Sequence, residues 1–281
     1  MEDLEYNYIK RQVLALTGVD LNCYKAQQMQ RRLKAYLIRS GYPNWPRFFR
    51  TIRADPAELS KFKDYLTINV SSFFRDPDKY KFLQTSILPD LLHQRSALRI
   101  WSAGCSRGQE IYSLAILLAE AGGSSGQHQL LATDIDRSAL DWARAGGPYT
   151  ADDIANVSFH LRLGYFDARK NEYWVRDNLK RGIIFRQHNL LADPIAGKFD
   201  LIICRNVVIY FQPEAKEKLY RNFYNALRPG GVLFVGGTEI LPKTVTAGFE
   251  AVNISFYRRK DTIQDQLKPT PARSANKSMP R

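Results

Sequence analysis

Three short stretches of this chain hold polar side chains where packing alone would not call for them. The run FDLIICRNVVIYF (199–211) is apolar at both alternations through Cys204, stops for Arg205 and Asn206, and then resumes. Phe199 to Cys204 reads as a strand buried on both faces. Two polar groups at its carboxyl end would be costly to bury without partners, and in open parallel sheets that is where ligands sit. The run WSAGCSRGQE (101–110) turns from strand to helix through Gly104 and Gly108, which let the backbone approach a ligand closely. Its spacing is not GxGxxG and no P-loop Lys-Ser/Thr follows, so nothing points to phosphate chemistry. The strand QLLATD ends in Asp134, placed to accept hydrogen bonds from a ribose; Asp136, two residues on, is better placed to cap the next helix. A glycine turn, a ribose acid and a polar break at a later strand end together describe a nucleoside-cofactor site of the S-adenosylmethionine type.

The elements that must position these residues follow from periodicity. From Leu98 onward strand-like runs (LRIWSAG, QLLATDID, GIIFRQHNL, FDLIICRN, VLFVGGTE) alternate with helical ones (GQEIYSLAILLAEAGG, RSALDWARAGG, EAKEKLYRNFYNALRPGG), the pattern of a doubly wound α/β sheet. The last of those helices is expected to stop at Pro229 and its two glycines. The stretch VSFHLRLGYFDARKNEYWVRD interrupts the alternation and reads as two short alternating runs joined by DARKNE, a small antiparallel insertion. The first ~75 residues read as helices. Met29, Leu33, Tyr36 and Leu37 form one stripe ending near Gly41. Asp55, Pro56 and Glu58 give a cap, a first-turn proline and a capping-box acid, and Asp76-Pro77 repeats the cap-plus-proline signal.

The chain has 281 residues, 44% of them hydrophobic, and carries a net charge of +13. It is long enough for about two domains and is globular by composition. No apolar run approaches the ~18 residues of a membrane span, and the N-terminus MEDLEYNYIKRQ has no signal-peptide core. Cys23, Cys105 and Cys204 form no CxxC pair or Cys/His cluster, so neither a zinc site nor a disulfide framework is indicated. A cytoplasmic protein with reduced thiols is expected. The charge is not evenly spread. Between Asp20 and Asp55 there is no acid at all, while Lys25, Arg31, Arg32, Lys34, Arg39, Arg47, Arg50 and Arg53 stand in that window. A one-signed patch of this kind attracts an anionic partner.

Over about residues 8 to 260 the sequence resembles the chemotaxis receptor glutamate O-methyltransferases, the CheR family. The resemblance rests on NVSSFFRD (69–76), WSAGCSRGQEIYS (101–113), ATDID (132–136), HNLL (188–191), FDLIICRNVVIYF (199–211) and LRPGGVLFVGGTE (227–239), in that order. It implies a helical, basic, substrate-facing N-terminal domain over 1–80. A Rossmann-like class I S-adenosylmethionine-dependent methyltransferase domain follows over 81–260, with an antiparallel β-insertion at about 146–182; beyond the resemblance, the polar, Pro- and Ser-containing residues 261–281 are expected to be a disordered tail. The resemblance places cofactor contacts on Asn69, Ser71 and Arg75, on Gly104 of the glycine turn, and on Glu110 as partner of the methionyl ammonium. Asp134 falls on the ribose acid, Asn189 and Leu190 on the adenine-side pair, and Arg205 and Asn206 on the polar pair that opened this reading. Arg75 and Tyr210 are implied to be catalytic, Tyr210 as an aromatic close to the reacting methyl. Arg75 is free to hold either the acceptor end or the donor carboxylate.

The implied reaction moves a methyl group from S-adenosylmethionine to receptor glutamates, giving glutamyl methyl esters and S-adenosylhomocysteine, with no metal. A glutamate with a pKa near ~4.3 is already a nucleophile at neutral pH, so no general base is needed. The implied partners are the cytoplasmic helices of chemoreceptors or a similar acidic signalling protein, seated on Arg31, Arg32, Lys34 and Arg39. Neither nucleic acid nor membrane insertion is expected, and the chain is expected to be a monomer. The sequence departs from the family's usual Gly-Cys-Ser-Thr-Gly-Glu-Glu-Pro at Arg107, Gln109 and Ile111, and has Ser71 where Thr is common. Arg107 beside a cationic sulfonium would bear on cofactor affinity. That departure motivates one alternative, a catalytically weak adaptor that binds cofactor or receptor. The charge motivates another, a nucleic-acid methyltransferase, but no base-flipping motif or RNA-binding module supports it.

Overall fold

The structure, a computed structural model, describes residues 2–67, 69–123 and 126–260, so the tail expected to be disordered lies outside the described residues. Four helices come first: α1 (Asp3–Thr17), α2 (Ala26–Arg39), α3 (Trp45–Ala54) and α4 (Pro56–Thr67). Their core is aromatic, with Trp45, Phe48, Phe49 and Phe62 buried against Met29, Leu33 and Tyr36 of α2. The α2 stripe expected from the sequence thus packs inward, with Leu37 at its edge. Asp55 caps α4, accepting from the Ala57 and Glu58 N–H groups. Glu58 does not complete a capping box; its carboxylate turns outward to Lys61.

A segment without helix or strand, residues 69–76, leads to α5 (Pro77–Phe82) and α6 (Leu88–Gln94), joined by a wide π-turn over Leu83–Ile87. Pro89 withholds one N–H from this helix, and the turn before it relaxes to the wider pattern. The chain then runs β1 (Arg99–Ala103), α7 (Gln109–Glu120), β2 (Gln129–Asp134) and α8 (Arg137–Ala145). The insertion follows as α9 (Phe159–Tyr165), the hairpin β3 (Phe166–Arg169) and β4 (Glu172–Val175), and the short α10 (Asp177–Lys180). The sheet resumes with β5 (Ile183–Gln187), β6 (Phe199–Cys204), α11 (Pro213–Ala226), β7 (Leu227–Val235), β8 (Phe249–Asn253) and β9 (Phe256–Arg259).

Seven strands pair in the order β5-β2-β1-β6-β7-β9-β8. The first five are parallel; β9 runs antiparallel to β7, and β8 to β9. Alternate residues of the central strands enter different cores, as the apolar runs required. Leu201 and Ile203 of β6 pack with α5, α6 and α7, while Ile202 and Cys204 pack with α11. The fold is therefore an all-α domain followed by a mostly parallel α/β sheet with a two-stranded antiparallel insertion.

Three expectations need correction. Residues 159–165 are a helix, not the first strand of the insertion. Ser158 caps it by accepting from the Leu161 N–H, and Arg162 donates back to the Ile154 and Val157 carbonyls, so local bonds override the alternation. Asp76 has left-handed backbone and makes no cap bond to α5, because its carboxylate is engaged by Arg205. The helix before Pro229 ends at Ala226, and Pro229 and its glycines lie inside β7. The antiparallel strands β8 and β9 had no counterpart in the sequence reading.

One buried carboxylate ties the base of the sheet. Asp200 accepts from the Arg99 N–H at 2.7 Å and holds Arg228 Nη1 at 2.7 and 2.8 Å. Its side chain is nearly sealed from water. Asp200→Ala would leave Arg228 unpaired beside an apolar core, at a cost of about 3 kcal/mol, the low end for a broken buried pair. Thermal unfolding should show Tm lowered by roughly 6–12 °C. A variant melting with the parent would show that water replaces the carboxylate at no cost.

Candidate active site

The carboxyl ends of β1, β2, β5 and β6 open into one cleft of about 1120 Å³, counted out to open solvent. Asn69, Ser71, Arg75, Gly104, Glu110, Asp134, Asn189, Leu190, Arg205, Asn206 and Tyr210 all line it. Every cofactor or catalytic position read from the sequence is thus brought to a single wall-to-wall site. The four basic residues of α2 are not in its lining.

Local geometry explains how each arrives there. At the end of β1, Gly104 has φ +84°, and a Cβ on it would stand 2.6 Å from Val207 Cγ2. Side chains are excluded at this point by both backbone and contact. Ser106 follows with φ +50°, and its N–H donates to Asp134 Oδ2 at 2.7 Å. Asp134 Oδ1 accepts the Asp136 N–H at 3.0 Å. Asp136 itself caps α8 through the Ala139 N–H, as the sequence indicated, and its other oxygen receives Thr67 Oγ1 at 2.8 Å and Asn69 Nδ2 at 2.5 Å. Asn69 Oδ1 in turn accepts from Ser106 Oγ at 3.1 Å. The segment 69–76 is therefore stitched to the β1 and β2 ends. Further along it, Gln109 Nε2 reaches the Ser71 carbonyl at 3.5 Å, the Phe74 N–H donates to Ser113 Oγ at 2.9 Å, and Arg75 Nη1 donates to the Val70 carbonyl at 3.1 Å.

At the end of β6, the Arg205 side chain is 2% exposed and pairs with Asp76 at 2.5 Å. Its guanidinium also lies over the Phe234 and Tyr80 rings, at 4.7 and 5.4 Å. Asn206 takes φ +59°. The loop it begins is held by Glu239, whose buried carboxylate accepts the N–H groups of Gly236 (2.6 Å), Val208 (3.0 Å) and Asn206 (3.1 Å). Tyr210 ends the 3-10 turn Val208–Tyr210 within this loop. On the β5 side, Asn189 Oδ1 accepts the Leu191 N–H and its own N–H donates to Asp193, which fixes Leu190 as a buried apolar wall.

The acids of the cleft are not ordinary. Burial pushes Glu110 up to about 7, against the opposing pull of Arg205 and of the Ser102 hydroxyl that donates to it at 2.7 Å. Burial also raises Asp134 to about 6, against its two backbone donors. Such displaced carboxyls in a cleft mark sites where a charged ligand completes the balance.

Several observations fit a nucleoside bearing an amino-acid tail. Asn206 Oδ1 and Arg205 Nε are buried and lack partners, which is costly unless a ligand satisfies them. The Gly104 turn brings bare backbone to the cleft wall, packed against Val207. Glu110 and Arg75 offer opposite charges for an ammonium and a carboxylate, and Leu190 offers an apolar surface for a base. Among the described residues no group of three His, Cys, Asp or Glu side chains is arranged to hold a metal ion.

Family comparison agrees with this geometry. Residues 4–67 match the all-alpha domain of the CheR methyltransferases, and residues 69–257 match the SAM-binding domain of the same family. The chain belongs to the CheR methyltransferase family. It is 38% identical over 258 residues to the chemotaxis protein methyltransferases of Listeria innocua and Listeria monocytogenes, covering 91% of this chain and 98% of each relative. Chemotaxis protein methyltransferase 2 of Pseudomonas aeruginosa is 34% identical over 242 residues, 84% of this chain and 86% of that one. The strands that open into the cleft thus belong to the SAM-binding domain of a CheR methyltransferase.

Two departures from the family's usual glycine-turn sequence are explained. Arg107 does not face the donor site; its guanidinium lies 4.7 Å over the Trp142 ring on α8, outside the cleft lining. Gln109 donates to Asp153 Oδ1 at 3.2 Å, where a second carboxylate would be repelled. Sequence reasoning missed Asp76 and Glu239, which shape the site without lining it. The signal for Glu239 was present, as the only acid at the end of the apolar strand β7.

An ionised Glu110 is the form that receives a cation, yet in the free protein it holds its proton up to about pH 7. Binding S-adenosylhomocysteine, with its ammonium, should therefore release a proton. Its Kd should rise about tenfold per unit as pH falls below about 7 and level off above. Calorimetry across pH 5.5–8.5 measures this, and Glu110→Gln should flatten the profile. A flat profile in the unmutated protein would remove Glu110 from the ammonium site.

Proposed function

We propose that this protein methylates glutamate side chains on the cytoplasmic helices of chemoreceptors, producing glutamyl methyl esters and S-adenosylhomocysteine. The observation that carries this reading is Arg75. It lines the cleft, as Tyr210 does, and among the described residues no carboxylate lies within salt-bridge distance of it. The cleft's other guanidinium, Arg205, is already paired with Asp76. A cleft guanidinium without a carboxylate partner suits an incoming carboxylate, which it can bind in fork geometry.

S-adenosylmethionine supplies a methyl group made electrophilic by its sulfonium. Asp134 would hold the ribose, Asn189 and Leu190 the adenine side, Glu110 the ammonium, and Asn69, Ser71, Arg205 and Asn206 the rest of the donor's frame. Arg75 and Tyr210 would align the acceptor. A carboxylate oxygen forms the new O–C bond as the S–C bond breaks, and the electron pair stays on sulfur. No proton moves, so the site needs no general base. Charge is lost along the reaction, and a water-poor cleft favours that change over separated ions; alignment supplies much of the remainder.

The basic surface supports an acidic partner helix. Arg31, Lys34 and Arg39 are exposed on α2, and α2 starts at the cleft, where Met29 lines the wall. Arg32 contributes differently. Its half-buried guanidinium donates to the Tyr65 carbonyl, so we assign it to the domain's packing and keep the other three for the partner, although Arg39 shares the Tyr65 ring with it, at 4.8 against 4.6 Å. Against the adaptor alternative, neither Arg107 nor Gln109 is in the cleft lining.

Incubation with tritiated methyl donor and receptor cytoplasmic fragments should give label that mild alkali releases as volatile methanol. Label that resists alkali would overturn the glutamate reading. Arg75→Ala should lower kcat/KM for the receptor at least about tenfold, while the Kd for S-adenosylhomocysteine stays within about twofold. A parallel loss of donor affinity would assign Arg75 to the donor carboxylate instead. Reversing Arg31, Lys34 and Arg39 to Glu should raise the receptor KM and leave the donor Kd unchanged; raising salt should do the same as the screening length shrinks to ~3 Å at 1 M.

A further inference from the structure

Tyr24 belongs to the helical domain, between the 3-10 turn Leu21–Cys23 and α2, yet it lines the donor cleft of the other domain. Its backbone forms an antiparallel bridge with Phe211. On either side of that bridge, the Lys25 N–H donates to the Tyr210 carbonyl at 2.9 Å and the Gln212 N–H to the Cys23 carbonyl at 2.8 Å. The Tyr24 ring stands edge-on to Phe211, centroids 5.1 Å apart at 89°. Backbone and ring are both fixed. The hydroxyl is the only part left without a role.

No described residue hydrogen-bonds to that hydroxyl. Tyr65, Tyr112, Tyr149 and Tyr165 each donate to a protein oxygen, which is the usual state of a partly buried phenol. Asp134 is near enough that its carboxylate adds to the upward push that burial gives the Tyr24 phenol. The group therefore stays protonated and able to donate. Asp134 has two backbone donors already, and each carboxylate oxygen keeps a further lone pair. A diol in the cleft beside both could donate to Asp134 and accept from Tyr24.

We propose that Tyr24 is a donor-binding residue whose hydroxyl, together with Asp134, brackets the ribose of S-adenosylmethionine. The donor pocket is then built by both domains, and the domain that carries the basic helix also completes the nucleoside site. This rests on Asp134 as the ribose acid and not on the identity of the methyl acceptor.

The test is calorimetry on the full chain with S-adenosylhomocysteine and with its 2′-deoxy and 3′-deoxy analogues. Tyr24→Phe keeps the ring contacts with Phe211 and removes only the hydroxyl. It should raise the Kd for S-adenosylhomocysteine about three- to tenfold, and that difference from the parent should vanish with one of the deoxy analogues. Unchanged affinity in Tyr24→Phe overturns the proposal. An equal loss for all three ligands also overturns it, since that would report a disturbed domain junction. Asp134→Asn, measured alongside, separates the two levels. If it binds as the parent does, the ribose assignment itself fails; if it binds weakly while Tyr24→Phe is silent, only the Tyr24 assignment fails.

Discussion

The shape of the cleft depends on one buried guanidinium. Arg205 ends the central strand β6 with its side chain almost sealed from water, and an unpaired cation there would carry a desolvation cost of several kcal/mol. Its carboxylate comes from Asp76, 129 positions away in sequence. For that pair to form, residues 69–76 must cross the carboxyl ends of the parallel strands. The crossing makes the segment one wall of the donor site. Tyr80, on the helix that follows Asp76, and Phe234, on β7, offer their ring faces to the same guanidinium. One charge thus anchors the segment, the helix after it and two strands of the sheet.

The same crossing gathers much of the backbone strain. Of the non-glycine residues with positive φ among the described residues, Phe74, Asp76, Ser106 and Asn206 stand at the cleft or on the segment that walls it, while Lys170 and Ser255 lie elsewhere. Each such residue costs about 1–3 kcal/mol and persists only where its surroundings over-determine it. Here the over-determination is visible. The Phe74 N–H has Ser113, the Asp76 carboxylate has Arg205, the Ser106 N–H has Asp134, and the Asn206 N–H has Glu239. Each restraint is a side chain from a distant element, so the strained turns are held by the folded sheet and the fold is committed to the site's geometry in advance of any ligand.

Much of this was legible in the sequence because it follows local rules. The parallel strands are apolar on both alternations, the glycine turn has no tolerance for a side chain, and Asp136 caps its helix by proximity. What misled was local pattern overruled by long-range charge. Asp76-Pro77 has the composition of a helix cap, but the pull of a buried Arg205 decides where the carboxylate goes. Arg32 has the composition of a surface cation, but the Tyr65 ring and carbonyl take it inward. The α9 helix failed in the other direction, since the apolar alternation from Val157 to Leu163 was outweighed by the Ser158 cap and by Arg162 closing onto two carbonyls. Glu239 showed itself only as an acid at the end of an apolar strand; its partners are backbone N–H groups, which no side-chain motif records.

The proposed methylation of a carboxylate asks for an arrangement of this kind. On that reading both the nucleophile and the electrophile arrive activated, and the protein has no proton to move. Its contribution is to place charges where they can be given up. The cleft does this with groups held short of their ordinary ionisation, Glu110 and Asp134 both raised by burial, beside a guanidinium already neutralised by Asp76. On the proposed reading a cationic donor would relieve the first imbalance, and an anionic acceptor would meet Arg75, for which no salt bridge is found among the described residues. After transfer both substrates have lost their reacting charges, so the attraction that assembled them is gone. Release would then follow from that lost attraction and not from the low dielectric, the ester no longer held by the guanidinium's charge.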